Sequence, residues 1–144
     1  MAEKKRVLIL CTGNSARSQM AEGLLRSLAG DRFEVFSAGT DPSFVRPQAM
    51  AVMKEIGIDI STHRSKSVNE FLNDDFDYVI TVCDHANQRC PIFPGSVKRI
   101  HWSIADPVVA GDEETVLGAF RDARDELQTK LKAFIAEEDD TRRN

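Results

Sequence analysis

Cys11 closes an apolar run, Val7-Leu8-Ile9-Leu10, and opens a short polar loop, Thr12-Gly13-Asn14-Ser15-Ala16, that leads into Arg17 and Ser18. A thiol followed six positions later by an arginine, with a glycine and small residues between, suits nucleophilic chemistry on an oxyanion. The four apolar residues read as a buried strand. A helical pattern starts directly after the loop. The loop is therefore a strand-to-helix turn at the carboxyl end of a strand, where α/β sheets place their ligands. N–H groups at a helix start have no partner within the helix. A small-residue loop can curl so that several of them, from Thr12 to Ser18, point at one anion. The same N–H groups and the Arg17 guanidinium favour a sulfur anion at Cys11. Arg17 also offers a planar, two-pronged hold on the bound oxyanion. Ser18 is placed to donate a hydroxyl hydrogen bond to the Cys11 sulfur.

The rest of the chain must hold this loop in place. Its 144 residues suit one domain with a real core. A hydrophobic content of 42% and a charged content of 29% are those of an ordinary globular protein. The formal net charge of −4 argues against nucleic acid or an anionic membrane as partner. The residues Met1 to Arg6 lead into an apolar run too short for a signal-peptide core, so the cytoplasm is the expected location. No stretch approaches the roughly 20 apolar residues of a membrane helix.

Apolar periodicity predicts a helix from Ala16 to Leu28, a strand over Phe33–Ala38 ended by Gly39, and a helix opened by Pro47 and capped by Gly57. A short extended piece at Ile58–Ser61 and a short helix at Asn69–Asn73 follow. Strands are expected at Phe76–Val82 and Val97–Trp102, and a last helix from about Glu114 to Ala136. Strands that alternate with helices imply an α/β fold: one domain, a four-stranded, mainly parallel sheet flanked by helices. Residues 1–136 form that domain, and the charged stretch 137–144 is expected to fray.

The chain has three cysteines, Cys11, Cys83 and Cys90. An odd count argues against a structural disulfide framework. Cys83 ends its strand as Cys11 ends the first, and neighbouring strands lie about 5 Å apart. The two thiols are thereby brought to the mouth of one loop. Cys90 follows in Cys83-Asp84-His85-Ala86-Asn87-Gln88-Arg89-Cys90-Pro91. On a helix, cysteines seven apart are separated by about 10.5 Å along the axis, whereas a disulfide needs Cα atoms within roughly 7 Å. A Cys83–Cys90 bond therefore requires this segment to loop out or unwind. Asp106, in Asp106-Pro107, is an ordinary turn residue by itself and a general-acid candidate beside the loop. His63, His85 and His101 have no zinc-ligand spacing and read as surface or packing residues, so no metal is expected.

Over nearly its whole length the chain resembles the thioredoxin-coupled arsenate reductases, a family built on the low-molecular-weight tyrosine phosphatase fold. The residues that carry the resemblance are the Cys11–Ser18 loop, Ser37-Ala38-Gly39-Thr40, Gly57-Ile58-Asp59-Ile60-Ser61, Cys83 through Cys90-Pro91, and His101-Trp102 ahead of Asp106-Pro107. The loop is shared with the phosphatases; the spaced Cys83 and Cys90 belong to the reductases. The resemblance implies reduction of arsenate to arsenite by a three-cysteine relay. Cys11 is the nucleophile, Cys11–Cys83 and Cys83–Cys90 disulfides follow, and thioredoxin resupplies electrons with no bound cofactor. Phosphate and sulfate are the competing oxyanions, and the protein is expected to act as a monomer. Some members of the family bind potassium beside the loop through residues matching Asn14, Glu22 and Ser37 and an acidic residue near position 66. Here that position is Lys66, whose ammonium is expected to replace the ion and hold Asn14 and Glu22 directly. Two other readings compete. A phosphatase acting on phosphotyrosine or small phosphate esters needs only Cys11, Arg17 and Asp106. A non-catalytic thiol sensor or arsenite-binding module leaves the anion loop and Arg17 unexplained.

Overall fold

The computed structural model describes residues 4–143, with side chains described through residue 140. Met1, Ala2 and Glu3, part of the stretch weighed as a leader, and Asn144 lie outside the described residues. The chain runs β1 (Lys5–Cys11), α1 (Arg17–Ala29), β2 (Phe33–Gly39), α2 (Pro47–Lys54), a 3-10 turn (Val68–Phe71), β3 (Tyr78–Thr81), α3 (Asp84–Gln88), β4 (Lys98–His101) and α4 (Glu113–Arg143). The sheet is four-stranded with order β2-β1-β3-β4, and every pairing is parallel. Among the described residues no helix is long and apolar enough to cross a membrane.

Val7, Leu8, Ile9 and Leu10 are completely buried because β1 is covered on both faces. Phe33 and Phe36 have opposite parity on β2 and so point to opposite faces. Phe33 meets Phe134 of α4 with ring centroids 5.4 Å apart. Phe36 instead joins Phe71 and Phe76, and Phe76 meets Phe93 edge-on. The helical layer thus lies on one side of the sheet and an aromatic cluster on the other.

The strand order sets the site. β1 and β3 are neighbours, and the connection leaving β1 runs to β2 on one side while that leaving β3 runs to β4 on the other. A crevice opens at such a switch point. Cys11 ends β1 and Cys83 follows β3, across that crevice.

Several boundaries differ from the periodicity. β3 and β4 are shorter than the apolar runs. At the start of β3, the Asp77 carboxylate accepts the Arg6 N–H at 2.8 Å, and Phe76 turns into the aromatic cluster. The expected helix at Asn69–Asn73 is a 3-10 turn from Val68 to Phe71. The extended piece at Ile58–Ser61 forms no strand. α4 continues through the charged stretch to Arg143 instead of ending near Ala136. Glu138 is buried there and accepts a hydrogen bond from the Tyr78 hydroxyl, while Arg32 pairs with Asp139.

Candidate active site

The turn after β1 wraps around its own sulfur. Cys11 is buried, and its Sγ lies 2.8 Å from Ser18 Oγ. The Asn14 N–H points at the same sulfur from 3.2 Å. Asn14 reaches this position with φ of 46°, a left-handed conformation that asparagine tolerates better than most residues. Its side chain braces the turn from below: Nδ2 donates to Ser18 Oγ at 2.7 Å and to Ser37 Oγ at 3.0 Å. Ser37 in turn donates to Glu22 Oε1 at 2.5 Å. Asn14, Ser37 and Glu22 thus form one buried chain beneath the loop.

Above the sulfur is a cavity of about 180 Å³, lined by the Cys11–Arg17 loop together with Arg46, Asp106 and Val108. Arg17 begins α1, and its Nη1 donates to the Ile104 carbonyl at 2.8 Å. That bond ties the guanidinium to the segment that carries Asp106. The exposed Asp106 carboxylate accepts the Val108 N–H at 2.9 Å, an Asx turn that holds it at the cavity rim.

The second thiol stands at the same mouth. Cys83 is buried, and its Sγ lies 3.3 Å from the hydroxyl of Thr12, the residue after Cys11. Cys83 also caps α3, its sulfur accepting the Ala86 N–H at 3.4 Å. Cys90 lies beyond the end of this five-residue helix and is half-buried; burial pushes its thiol above the ordinary value. All three cysteines are unpaired. α3 is pinned from outside: His101 bridges the Asp84 carboxylate, 2.9 Å from Nε2, and the Thr81 hydroxyl, 2.8 Å from Nδ1. The His101 ring, foremost, holds the Asp84 carboxyl below its ordinary value.

Lys66 behaves differently from expectation. Its Nζ approaches Glu22 Oε1 at 3.8 Å but bonds the Arg64 carbonyl at 3.0 Å. Asn14 Oδ1 is held by the Lys66 backbone N–H, at 2.9 Å, and not by the ammonium. Burial pushes the Lys66 ammonium below its ordinary value, opposed by Glu22. Glu22 is moreover shared with Arg26 at 2.8 Å and His63 at 3.7 Å. Two cationic side chains, Lys66 and Arg26, and the His63 imidazole therefore converge where the sequence suggested one partner.

Four contributors were not visible in the sequence pattern. Gln19 is fully buried and bonds both Asn14 Oδ1, at 2.9 Å, and the Arg64 carbonyl, also at 2.9 Å. His63 is half-buried and packs into this network, its Nδ1 3.0 Å from Gln19 Oε1. The Ile104 carbonyl fixes Arg17. Arg46 is a second arginine at the cavity. A polar residue at the apolar edge of α1 was the one available signal for Gln19; the other three depend on distant contacts.

Comparison with known proteins agrees with this geometry. The chain is 45% identical over 132 residues to an arsenate reductase of Halalkalibacterium halodurans, covering 91% of this chain and 95% of the relative. The structure resembles a solved arsenate reductase in the phosphate binding state, with a TM-score of 0.74, 33% identity, and coverage of 92% of this chain and 98% of that one. It also resembles an arginine phosphatase from Geobacillus stearothermophilus, with a TM-score of 0.74, 31% identity, and coverage of 96% and 94%. The sequence profile described as low molecular weight phosphotyrosine protein phosphatase matches residues 6–143, and the chain belongs to that family.

Proposed function

We propose that this protein reduces arsenate to arsenite through Cys11, Cys83 and Cys90 and is recycled by thioredoxin. The observation that carries the reading is the Cys83 sulfur, 3.3 Å from the Thr12 hydroxyl at the mouth of the cradle. A hydrolase needs no second thiol there.

Arsenate has the shape and charge of phosphate and enters the cavity over Cys11. The Cys11 sulfur attacks arsenic, and an S–As bond forms as an As–O bond breaks. Asp106 gives the departing oxygen its proton, so that water leaves. Cys83, as thiolate, then attacks the Cys11 sulfur. The S–As electron pair stays on arsenic, which becomes As(III) and leaves as arsenite. A Cys11–Cys83 disulfide is left behind. Cys90 attacks Cys83, Cys11 departs as thiolate, and the oxidising equivalents rest in a Cys83–Cys90 disulfide. A dithiol supplying two electrons and two protons restores the start.

α3 must open for the last internal step, because a helical Cys83–Cys90 spacing is too long for a disulfide. A helix of five residues has little intrinsic stability. Its segment is held largely by side-chain bonds to His101 and Thr81. Phosphate and sulfate compete for the same loop, and the protein acts as a monomer.

The test is arsenate turnover with thioredoxin, thioredoxin reductase and NADPH, on the wild type and on Cys11→Ser, Cys83→Ser and Cys90→Ser. Multiple turnover is expected only in the wild type. Unchanged turnover in Cys83→Ser or Cys90→Ser would overturn the relay. Hydrolysis of an aryl phosphate that survives in both variants, with no arsenate turnover in the wild type, would assign the site to a phosphatase.

A further inference from the structure

The relay leaves Arg46 unused. It caps the start of α2, and its backbone N–H donates to the Ser15 carbonyl at 2.9 Å, which ties it to the cradle. Arg46 lines the cavity shared by Cys11, Arg17 and Asp106. Its guanidinium carbon lies 4.9 Å from the centroid of the exposed Phe44 ring, which braces the guanidinium. Six arginines have carboxylate partners, whereas Arg17, Arg46, Arg89 and Arg99 have none among the described residues, and of these four only Arg17 and Arg46 line the cavity.

Arg46 Nε is sealed from solvent and donates to nothing. Buried polar atoms of this kind are uncommon, because each gives up water and gains no partner. Among the described residues the side-chain atoms in this condition are Thr40 Oγ1, Arg46 Nε and Gln48 Oε1. All three lie between the end of β2 and the first turn of α2, the segment beside the cradle.

We propose that Arg46 is a substrate-binding residue that places a second guanidinium on a tetrahedral oxyanion held over Cys11. A turn of the side chain toward the cavity would expose Nε and give it an anion oxygen as the acceptor it lacks. Two guanidinium groups, Arg17 and Arg46, favour a doubly charged anion over a singly charged one. They give no such hold to arsenous acid, which is uncharged at neutral pH. The same pair therefore retains substrate and releases product. This inference rests on the cavity being an oxyanion site and not on the redox steps.

Calorimetric titration of the reduced protein with inorganic phosphate tests it without turnover. Arg46→Gln is expected to bind phosphate roughly 10- to 100-fold more weakly, the worth of a charge-assisted hydrogen bond. Arg46→Lys is expected to recover part of that loss, with the melting temperatures of both variants close to wild type. Binding by Arg46→Gln within twofold of wild type would overturn the proposal. So would a loss that lysine does not repair and that comes with a lowered melting temperature, because Arg46 would then be structural. Tight phosphate binding lost in Arg46→Gln, in a protein that fails to reduce arsenate, would sink the reductase reading and leave this one standing.

Discussion

Replacing Gly39 with alanine should damage the cradle without touching any reactive group. Gly39 ends β2 and pairs with Cys11. A Cβ at this position would lie 2.5 Å from the Thr12 carbonyl oxygen and 2.9 Å from the Asn14 nitrogen. Both are backbone atoms of the loop, so neither can swing aside as a side chain does. Forcing a methyl group into such a site costs about 1–3 kcal/mol. At this chain length about 1 kcal/mol corresponds to about 3 °C in Tm, so the variant should melt about 3–9 °C lower. The displaced Asn14 N–H is also the one that points at the Cys11 sulfur from 3.2 Å. Phosphate binding by calorimetry should therefore weaken by roughly tenfold or more, as for the loss of a charge-assisted hydrogen bond. Gly118→Ala is the matched control. Gly118 lies within α4, and a Cβ there meets nothing within 4 Å. Helix propensity alone should raise stability by about 1 kcal/mol with phosphate binding unchanged. A Gly39→Ala protein that melts and binds phosphate like the wild type would refute the reasoning, because the loop would have yielded at no cost.

Other perturbations probe the sulfur and the network beneath it. Ser18→Ala removes the hydroxyl 2.8 Å from Cys11 Sγ. Loss of a hydrogen bond at the reacting sulfur is worth about 0.5–1.5 kcal/mol, so alkylation of Cys11 at neutral pH should slow about two- to tenfold. Peptide-resolved mass spectrometry reads that rate, with Cys90 as the internal reference; equal Cys11 rates in variant and wild type would count against the hydroxyl's role. His63 supplies a pH dependence. Burial, foremost, pushes its imidazole below the ordinary value of 6.5, with Arg26 and Lys66 adding to the effect and Glu22 and Asp59 opposing it. The unfolded chain therefore takes up the proton first as pH falls. The folded state loses stability as pH falls below 6.5 and carries the full penalty below the lowered value. Thermal melts of wild type and His63→Gln between pH 7.5 and 5 should show the larger fall in the wild type. Parallel curves would be the contrary result.

The parts of this protein that are local in sequence were legible in it. Val7–Leu10 runs into Cys11, and the Asn14 N–H and Ser18 hydroxyl that contact the sulfur come within seven residues, so strand, turn and nucleophile could be read together. Cys83 was legible by analogy, as a second thiol at a second strand end. Parts that depend on distant contacts were not. Arg46 reads as a residue held extended before Pro47, and only the folded β2–α2 connection carries it to the cavity. The anchor of Arg17, the Ile104 carbonyl, lies 87 positions away. Glu22 and Lys66 were visible through the resemblance, but the sharing of Glu22 among Arg26, His63 and Lys66 needed three dimensions. The end of α4 was misread for a related reason. Glu137 to Arg143 has the charge of a solvated tail, yet Glu138 finds the Tyr78 hydroxyl and Asp139 finds Arg32.

In the proposed relay Cys83 is a reactant, and in the fold it is the cap of α3. While it is a free thiol, its sulfur receives the Ala86 N–H and helps to fasten the first turn. Once that sulfur is drawn into a bond with Cys11, its lone pairs turn toward a new neighbour and the fastening is withdrawn. In that relay the covalent event would unlock the segment that must travel next and so set the order of the two proposed disulfides. Such a device needs no external signal: the oxidation state of a single atom sets whether the following thiol can arrive.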